Sequence, residues 1–184
     1  AAMALTATIY QFTVELSDVD RGVYETLDLR VARQPSESAE YMVTRVLAYC
    51  LEYAEGIAFT QGVAAKDEPA VWVRDPTGKL LAWIEVGLPD AERLHRGSRA
   101  ADRAAVYTHR DVEQFQKQLA GKRIFRAEEI PIYALDRRFV EELATLVDRR
   151  TSLAITVTEG ELFVTVGSRA LQTQVTEYRI PQDS

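Results

Sequence analysis

Three acidic residues bracket one apolar hairpin, and their chemistry depends on how that hairpin is registered. The stretch DEPAVWVRDPTGKLLAWIEVG runs from Asp67 to Gly87. It carries Asp67 and Glu68 at one open end and Glu85 at the other, with Asp75-Pro76-Thr77-Gly78 as a tight turn between them. If the turn is symmetric about Pro76 and Thr77, Glu68 faces Glu85. Ala70, Trp72, Arg74, Lys79, Leu81 and Trp83 then share their face, and Val71, Val73, Leu80, Ala82, Ile84 and Val86 form an apolar face. A type I turn with a Gly bulge, which Pro and Gly at these turn positions also suit, shifts the pairing by one. Asp67 rather than Glu68 then shares the face of Glu85. The strand pattern favours the first register and the turn residues favour the second; the pattern decides for Glu68.

Facing carboxylates repel unless they are paired or bound to a cation. Oxygen ligands of this kind suit Mg2+ or Mn2+, which can orient water and stabilise charge on a phosphoryl group. The competing account makes the acids solvated strand ends, because paired acids are not a specific motif. Glu40 projects from a helix beside the apolar positions Val43 and Leu47. It reads either as a first-turn acid favoured by the helix dipole or as a third carboxylate reaching the hairpin. Arg93, Arg96, Arg99 and Arg103 recur at helical spacing and form one basic stripe, fit either to hold phosphates or to face solvent paired with Glu92 and Asp102.

Other reactive residue types carry less. His95 and His109 are too few and too separated for zinc. Cys50 lies on an apolar stripe and reads as core. Trp72 and Trp83 share the outer hairpin face; they could stack bases, but cover by the C-terminal strands is expected. No Gly-rich phosphate loop or nucleophile elbow is present.

The elements that position these residues follow from periodicity. ALTATIYQFTVEL and VYETLDLRVAR alternate as strands around the turn SDVDRG. Pro35 and Ser36 open a helix that carries Val43, Val46, Leu47, Cys50, Leu51 and Ala54 on one side and stops at Gly56. IAFT is a short strand ahead of the hairpin. Asp90 caps a helix running through about Arg103, with Gly97 marking a close backbone approach. The strand AAVYTH, the helix DVEQFQKQLAG, the strand EIPIYAL and the helix RRFVEELATLVDR follow. The tail turns at Glu159-Gly160 and Gly167-Ser168, giving a three-stranded antiparallel meander.

Composition bounds the rest. The chain has 184 residues, 47% hydrophobic and 27% charged, enough for one domain with a full core. The predicted core spans about residues 36–150 and the meander about 151–180. The net charge of -6 argues against whole-surface attraction to nucleic acid and leaves room for a local basic strip. A lone cysteine allows no internal disulfide. No apolar run approaches the roughly 18 residues of a membrane span, and no basic-then-apolar leader is visible. A cytoplasmic protein without membrane association is expected.

Four segments together, ALTATIY, ARQPSESAEYMVTRVLAY, DEPAVW and WIEVGLPD, resemble the YaeQ family over nearly the whole chain. That family is similar in fold to the PD-(D/E)XK, or restriction-endonuclease-like, nucleases. The resemblance implies an α/β (α+β) fold with a central mixed β-sheet flanked by helices and holding a divalent metal. It makes Glu85 the acid of the second half-motif and matches Glu40 to the first-helix glutamate. Two positions depart from the superfamily pattern. Ala70, not an acid, follows Pro69, and Gly87, not lysine, stands two residues after Glu85. Glu68 or Asp67 would replace the missing acid, and Arg93 or Arg96 the missing charge, although an arginine is a poor proton acceptor.

Two functions follow as expectations. One is a Mg2+- or Mn2+-dependent nuclease in which Glu68 and Glu85, or Asp67 in the second register, hold the metal. Glu40 assists there, and Arg93, Arg96, Arg99 and Arg103 contact nucleic acid. The other is a nuclease-fold protein that no longer cuts and binds nucleic acid or a protein partner; the resemblance adds a loose association with transcription.

Overall fold

A computed structural model describes residues 6–61 and 66–182; the first two residues of ALTATIY lie outside them. Within the described residues the chain forms two sheets and four α-helices. In chain order these are β1 (Thr8–Asp18), β2 (Val23–Arg33), α1 (Ala39–Leu51), β3 (Ile57–Phe59), β4 (Val71–Arg74), β5 (Leu80–Val86), α2 (Ala91–Ala100) and β6 (Arg103–Thr108). Then come α3 (Val112–Leu119), a 3-10 turn (Ala127–Glu129), β7 (Pro131–Ala134), α4 (Arg137–Leu146), β8 (Arg150–Thr158), β9 (Glu161–Val166), β10 (Arg169–Gln174) and β11 (Thr176–Arg179).

The six-stranded sheet runs β11-β7-β6-β5-β4-β3 and the five-stranded sheet β10-β9-β8-β1-β2. Both are mixed: β5, β6 and β7 pair in parallel in the first, and β1 and β8 in the second. The N-terminal hairpin and the meander β8–β10, expected as separate additions to one central sheet, therefore join each other into a sheet of their own, while β11, expected as the end of the meander's third strand, crosses to the six-stranded sheet beside β7. Alternating burial along β1 and β8 shows why both need a partner layer. Which strands pair over such a sequence distance is a tertiary matter that local pattern does not encode.

Helix α1 lies between the sheets. Val43, Val46, Leu47 and Cys50 pack with Phe12, Val14, Leu29 and Ile155 of the five-stranded sheet and with Phe139 and Leu143 of α4. Its other side packs Ala48 and Tyr41 against Val71, Val73, Ile84 and Ala105. Helices α2 and α3 cover the opposite face of the six-stranded sheet through Leu94, Phe115 and Leu119. Cys50 is core as expected, and burial pushes its thiol up to about 12.

The boundaries of α1 differ from expectation at both ends. The N-cap is Ser38, whose Oγ accepts from the Tyr41 N–H at 3.0 Å. The start is later than Pro35-Ser36 because Glu37 turns inward. Its carboxylate takes Nε and Nη2 of Arg45 at 2.8 and 2.9 Å, and Arg45 Nη2 also donates to Ala32 O at 2.8 Å. Both side chains are essentially inaccessible, at 1% and 0%. The helix ends at Leu51, so Ala54 and Gly56 lie beyond it. Arg21 from the β1–β2 turn donates to Cys50 O in the last turn and to Tyr53 O just beyond the helix. Gly56 serves the sheet rather than the helix. At its φ of +91° a Cβ would sit 1.9 Å from Arg74 O, inside the β3–β4 contact.

Gly97 does mark a close approach. A Cβ at that position would lie 2.4 Å from Nε1 of Trp83, which is buried beneath α2 rather than beneath the C-terminal meander. Among the described residues no helix is long and apolar enough to cross a membrane.

This packing makes two stability effects measurable. Glu37→Gln leaves the Arg45 charge buried and unpaired, and should lower the unfolding free energy by about 3–5 kcal/mol. The double variant Glu37→Gln with Arg45→Met should recover most of the loss in urea titrations. Gly97→Ala would gain about 1 kcal/mol on an open helix face. Against the Trp83 ring it should instead destabilise by about 1–3 kcal/mol and alter tryptophan fluorescence.

Candidate functional site

The hairpin β4–β5 satisfies both of its competing signals by inserting a bulge. At the turn, Asp75 N–H donates to Lys79 O at 2.9 Å, Gly78 takes φ +90°, and Arg74 pairs with Leu80, which is the bulged type I register. In the body Val73 faces Ala82, Trp72 faces Trp83 and Val71 faces Ile84. The register shifts between Val73 and Arg74, leaving Leu81 as the extra residue. Two one-residue shifts restore the predicted face for Val71, Val73, Ala82, Ile84 and Val86, which are all buried, but the bulge reverses Leu80, which packs with Trp83 and Leu94, and Leu81, which packs with Val71 and Val73. The shifts do not restore the predicted pairing. The ladder ends at Val71 and Ile84, and beyond it Ala70 N–H donates to Ile84 O at 3.1 Å, so neither Glu68 nor Asp67 pairs with Glu85.

Glu85 is 3% exposed, and its partner is a guanidinium. Arg93, one turn into α2, donates Nε to Glu85 Oε2 at 2.8 Å and Nη2 to Glu85 Oε1 at 3.1 Å. The same guanidinium donates Nη1 to Lys66 O at 2.8 Å and Nη2 to Glu68 O at 2.7 Å. Three nitrogens thus make four hydrogen bonds, and the bidentate fork is the strongest geometry for such a pair. Helix α2 places Arg93 there because Asp90 caps it, its Oδ1 accepting from the Arg93 N–H at 2.8 Å. The hydrogen bond to Glu85 raises the Arg93 pKa further, against the lowering effect of burial.

The remaining predicted acids point elsewhere. Asp67 pairs with Arg96 at 2.7 Å with its side chain 87% exposed. The Glu68 carboxylate accepts from the Gln61 N–H at 3.3 Å. Glu40 is half-buried in the first turn of α1, where its charge acts on His109. The α1 residue that senses Glu85 is Tyr41. Its hydroxyl pKa is pushed up to about 12, first by burial and then by Glu85, so it is a neutral phenol at physiological pH. A Cβ at Gly87 would touch the Tyr41 ring at 3.4 Å, and Gly87 sits at φ +90°. Both facts explain glycine where the resemblance expects lysine.

The basic stripe breaks up because α2 ends at Ala100 and Arg103 opens β6. Arg103 instead donates to both oxygens of Glu52 at 2.8 and 3.0 Å, beside Tyr107, whose hydroxyl donates to the same carboxylate at 2.8 Å. Arg99 lies over the Phe125 ring at 5.4 Å. The four arginines serve four different partners, and only Arg99 has no carboxylate partner among the described residues.

This donor set does not fit a divalent cation. Both oxygens of Glu85 are held by a positive group, and an ion placed on them would meet the Arg93 charge. Among the described residues no group of three or more His, Cys, Asp or Glu side chains is placed to hold a metal. Sequence reasoning missed Glu37, Arg45 and Tyr41. For Arg45 and Tyr41 the only available signal was their spacing on the helix that also carries Val46 and Cys50; Glu37 precedes the helix and gave none.

The comparisons with known proteins agree on kinship. The profile of the family described as YaeQ protein matches residues 3–175. The Uncharacterized protein YaeQ of Escherichia coli is 33% identical over 181 residues, covering 97% of this chain and 99% of the relative. The crystal structure of YaeQ protein from Pseudomonas syringae superposes with a TM-score of 0.84 at 33% identity, over 93% of this chain and 95% of that one. That of YaeQ protein from Xanthomonas axonopodis pv. citri gives 0.86 at 29% identity, over 96% and 100%.

Because Arg93 ties the 66–68 segment to β5 and α2, Arg93→Gln should do two things. It should lower stability by about 1–3 kcal/mol through the stranded Glu85 charge. It should also expose the Lys66 peptide bond, so that limited trypsin digestion under native conditions cuts there faster than in the unaltered protein.

Proposed function

This chain belongs to the YaeQ family, and from that premise we propose that it is a nuclease-fold-like cytoplasmic protein that binds nucleic acid without hydrolysing it. One observation carries the reading: the buried carboxylate of Glu85 is fully engaged by Arg93. A restriction-endonuclease-like core is supported by a mixed sheet flanked by α1 on one face and α2 and α3 on the other, with Glu85 on the second strand of its hairpin. Phosphodiester hydrolysis in such a site would need Mg2+ or Mn2+ on Glu85 with Glu68 or Asp67. Each of those acids is turned to another partner. It would also need a proton acceptor, and neither Arg93 nor the neutral Tyr41 phenol supplies one.

In this reading Arg93 occupies the role of the cation. It neutralises Glu85, holds the incoming 66–68 segment and keeps the hairpin end closed. Binding then depends on basic side chains outside the hairpin and should weaken steeply with salt.

The test uses fluorescent single- and double-stranded DNA and RNA, incubated with the full chain and either Mg2+ or Mn2+. The expected result is retention of intact strands, binding that falls as salt rises, and no calorimetric signal for Mn2+ alone. Cleavage that disappears in Glu85→Ala would overturn the non-hydrolytic reading. Absence of binding to every nucleic acid at low salt would overturn the nucleic-acid reading and leave a protein partner.

A further inference from the structure

Phe125 is a large apolar side chain left 42% exposed, yet its backbone is held by side chains of α2. Its N–H donates to Nδ1 of His95 at 3.0 Å, and its carbonyl accepts from Oγ of Ser98 at 2.6 Å. Two guanidinium groups lie over its ring, Arg99 at 5.4 Å and Arg126 at 4.9 Å. Arg126 is itself fixed. It donates Nη2 to the carbonyls of Ser98 in α2 and of the C-cap residue Ala101 at 2.6 and 2.8 Å, capping the helix end, and it takes a left-handed φ of 51°. Such a backbone conformation in a non-glycine residue persists only where its surroundings impose it. The fold does not need the ring exposed, since its burial would contribute to stability. The arrangement instead presents a rigid aromatic on the α2 side of the molecule.

Of the two guanidinium groups over the ring, Arg126 is paired with Glu129 at 3.6 Å; among the described residues, the cations on the other side of Phe125 in sequence have no such partner. The segment Gly121–Arg126 reads GKRIFR and contains no acid. Lys122 and Arg123 are exposed, and neither they nor Arg99 have an ion-pair partner among the described residues. Three unneutralised cations beside one fixed aromatic stand out in a chain of net charge -6.

We propose that Phe125, Arg99, Lys122 and Arg123 form a docking surface for single-stranded nucleic acid, with a base stacking at Phe125 and adjacent phosphates on the three cations. This rests on the nucleic-acid reading above and assigns it a place: the loop after α3 and the outer face of α2, not the hairpin. The chemistry matches both parts of such a ligand. Every base offers a π-face to an aromatic ring, and the regularly spaced phosphates match unpaired cations without requiring sequence readout. A duplex, whose bases are already stacked, would gain only the phosphate contacts.

The test is fluorescence anisotropy with a labelled oligo(dT) of twenty nucleotides, run with the full chain across a salt series. Phe125→Ala should weaken binding by roughly tenfold, and Phe125→Tyr should restore it. Reversal of charge at Arg99, Lys122 and Arg123 should abolish binding at moderate salt and flatten the salt dependence. Thermal melts of each variant establish that the fold is retained; if Phe125→Ala fails to fold, Phe125→Leu, which keeps apolar bulk without the π-face, replaces it. Binding unaffected by these changes overturns this surface while the nucleic-acid reading stands. Absence of oligonucleotide binding to the unaltered protein overturns both. A polyglutamate peptide that competes equally well would make the surface a site for acidic protein segments and would overturn the nucleic-acid assignment.

Discussion

The architecture depends on a helix that has no solvent side to speak of. Helix α1 is gripped by two sheets and by α4, and eight of its thirteen residues are buried, Arg45 among them. An unpaired guanidinium in that position would forfeit several kcal/mol. Glu37 therefore has to come inside with it, and that requirement sets where the helix begins. The turn that brings Glu37 in also sets the path from β2 into α1 through the Glu37 N–H to Gln34 O bond and the Gln34 N–H to Glu37 Oε1 bond. One buried charge pair thus fixes the seam between the two sheets.

A second pair repeats the logic on the other side of Tyr41. Glu85 is as deeply placed as Glu37, and Arg93 brings the fork that neutralises it. Tyr41 feels both pairs, which is why its phenol resists ionisation. Ala70, Gly87 and Arg93 make a consistent set around Glu85. Neither Glu68 nor Asp67 pairs with it. Gly87 is held in a left-handed conformation under the Tyr41 ring. The positive charge comes from α2, and Arg93 alone leaves the buried carboxylate satisfied.

The arginines of α2 show how differently equal residues behave once tertiary structure is present. Arg93 is committed to a buried acid, Arg96 to an exposed one, and Arg99 to an aromatic ring. The exposed Arg96–Asp67 pair contributes little, on the order of 0–1 kcal/mol. Breaking the more deeply placed Arg93–Glu85 contact costs more, because the partner left behind is a poorly hydrated, unpaired charge. Shared helical spacing thus said nothing about shared role.

Much of this was legible in the chain. Alternation found β1, β2 and the C-terminal strands. Apolar spacing found α1 and the core position of Cys50. Asp90 announced the start of α2, and Gly97 announced a close contact. All of these are local, since they follow from side-chain period, capping and backbone freedom within a few residues. What the chain did not disclose involves partners distant in sequence. The pairing of β1 with β8, the cover of Trp83 by α2, the entry of Glu37 beside Arg45 and the meeting of Glu85 with Arg93 are of this kind. The hairpin lies between the two cases. Its turn and its alternation were both readable and disagreed by one residue, and only the folded sheet, by placing Leu81 in a bulge, could satisfy both. Local sequence dictated which faces are apolar, because that depends on period alone. Tertiary structure decided which acid meets which cation, because that depends on where separate elements come to rest.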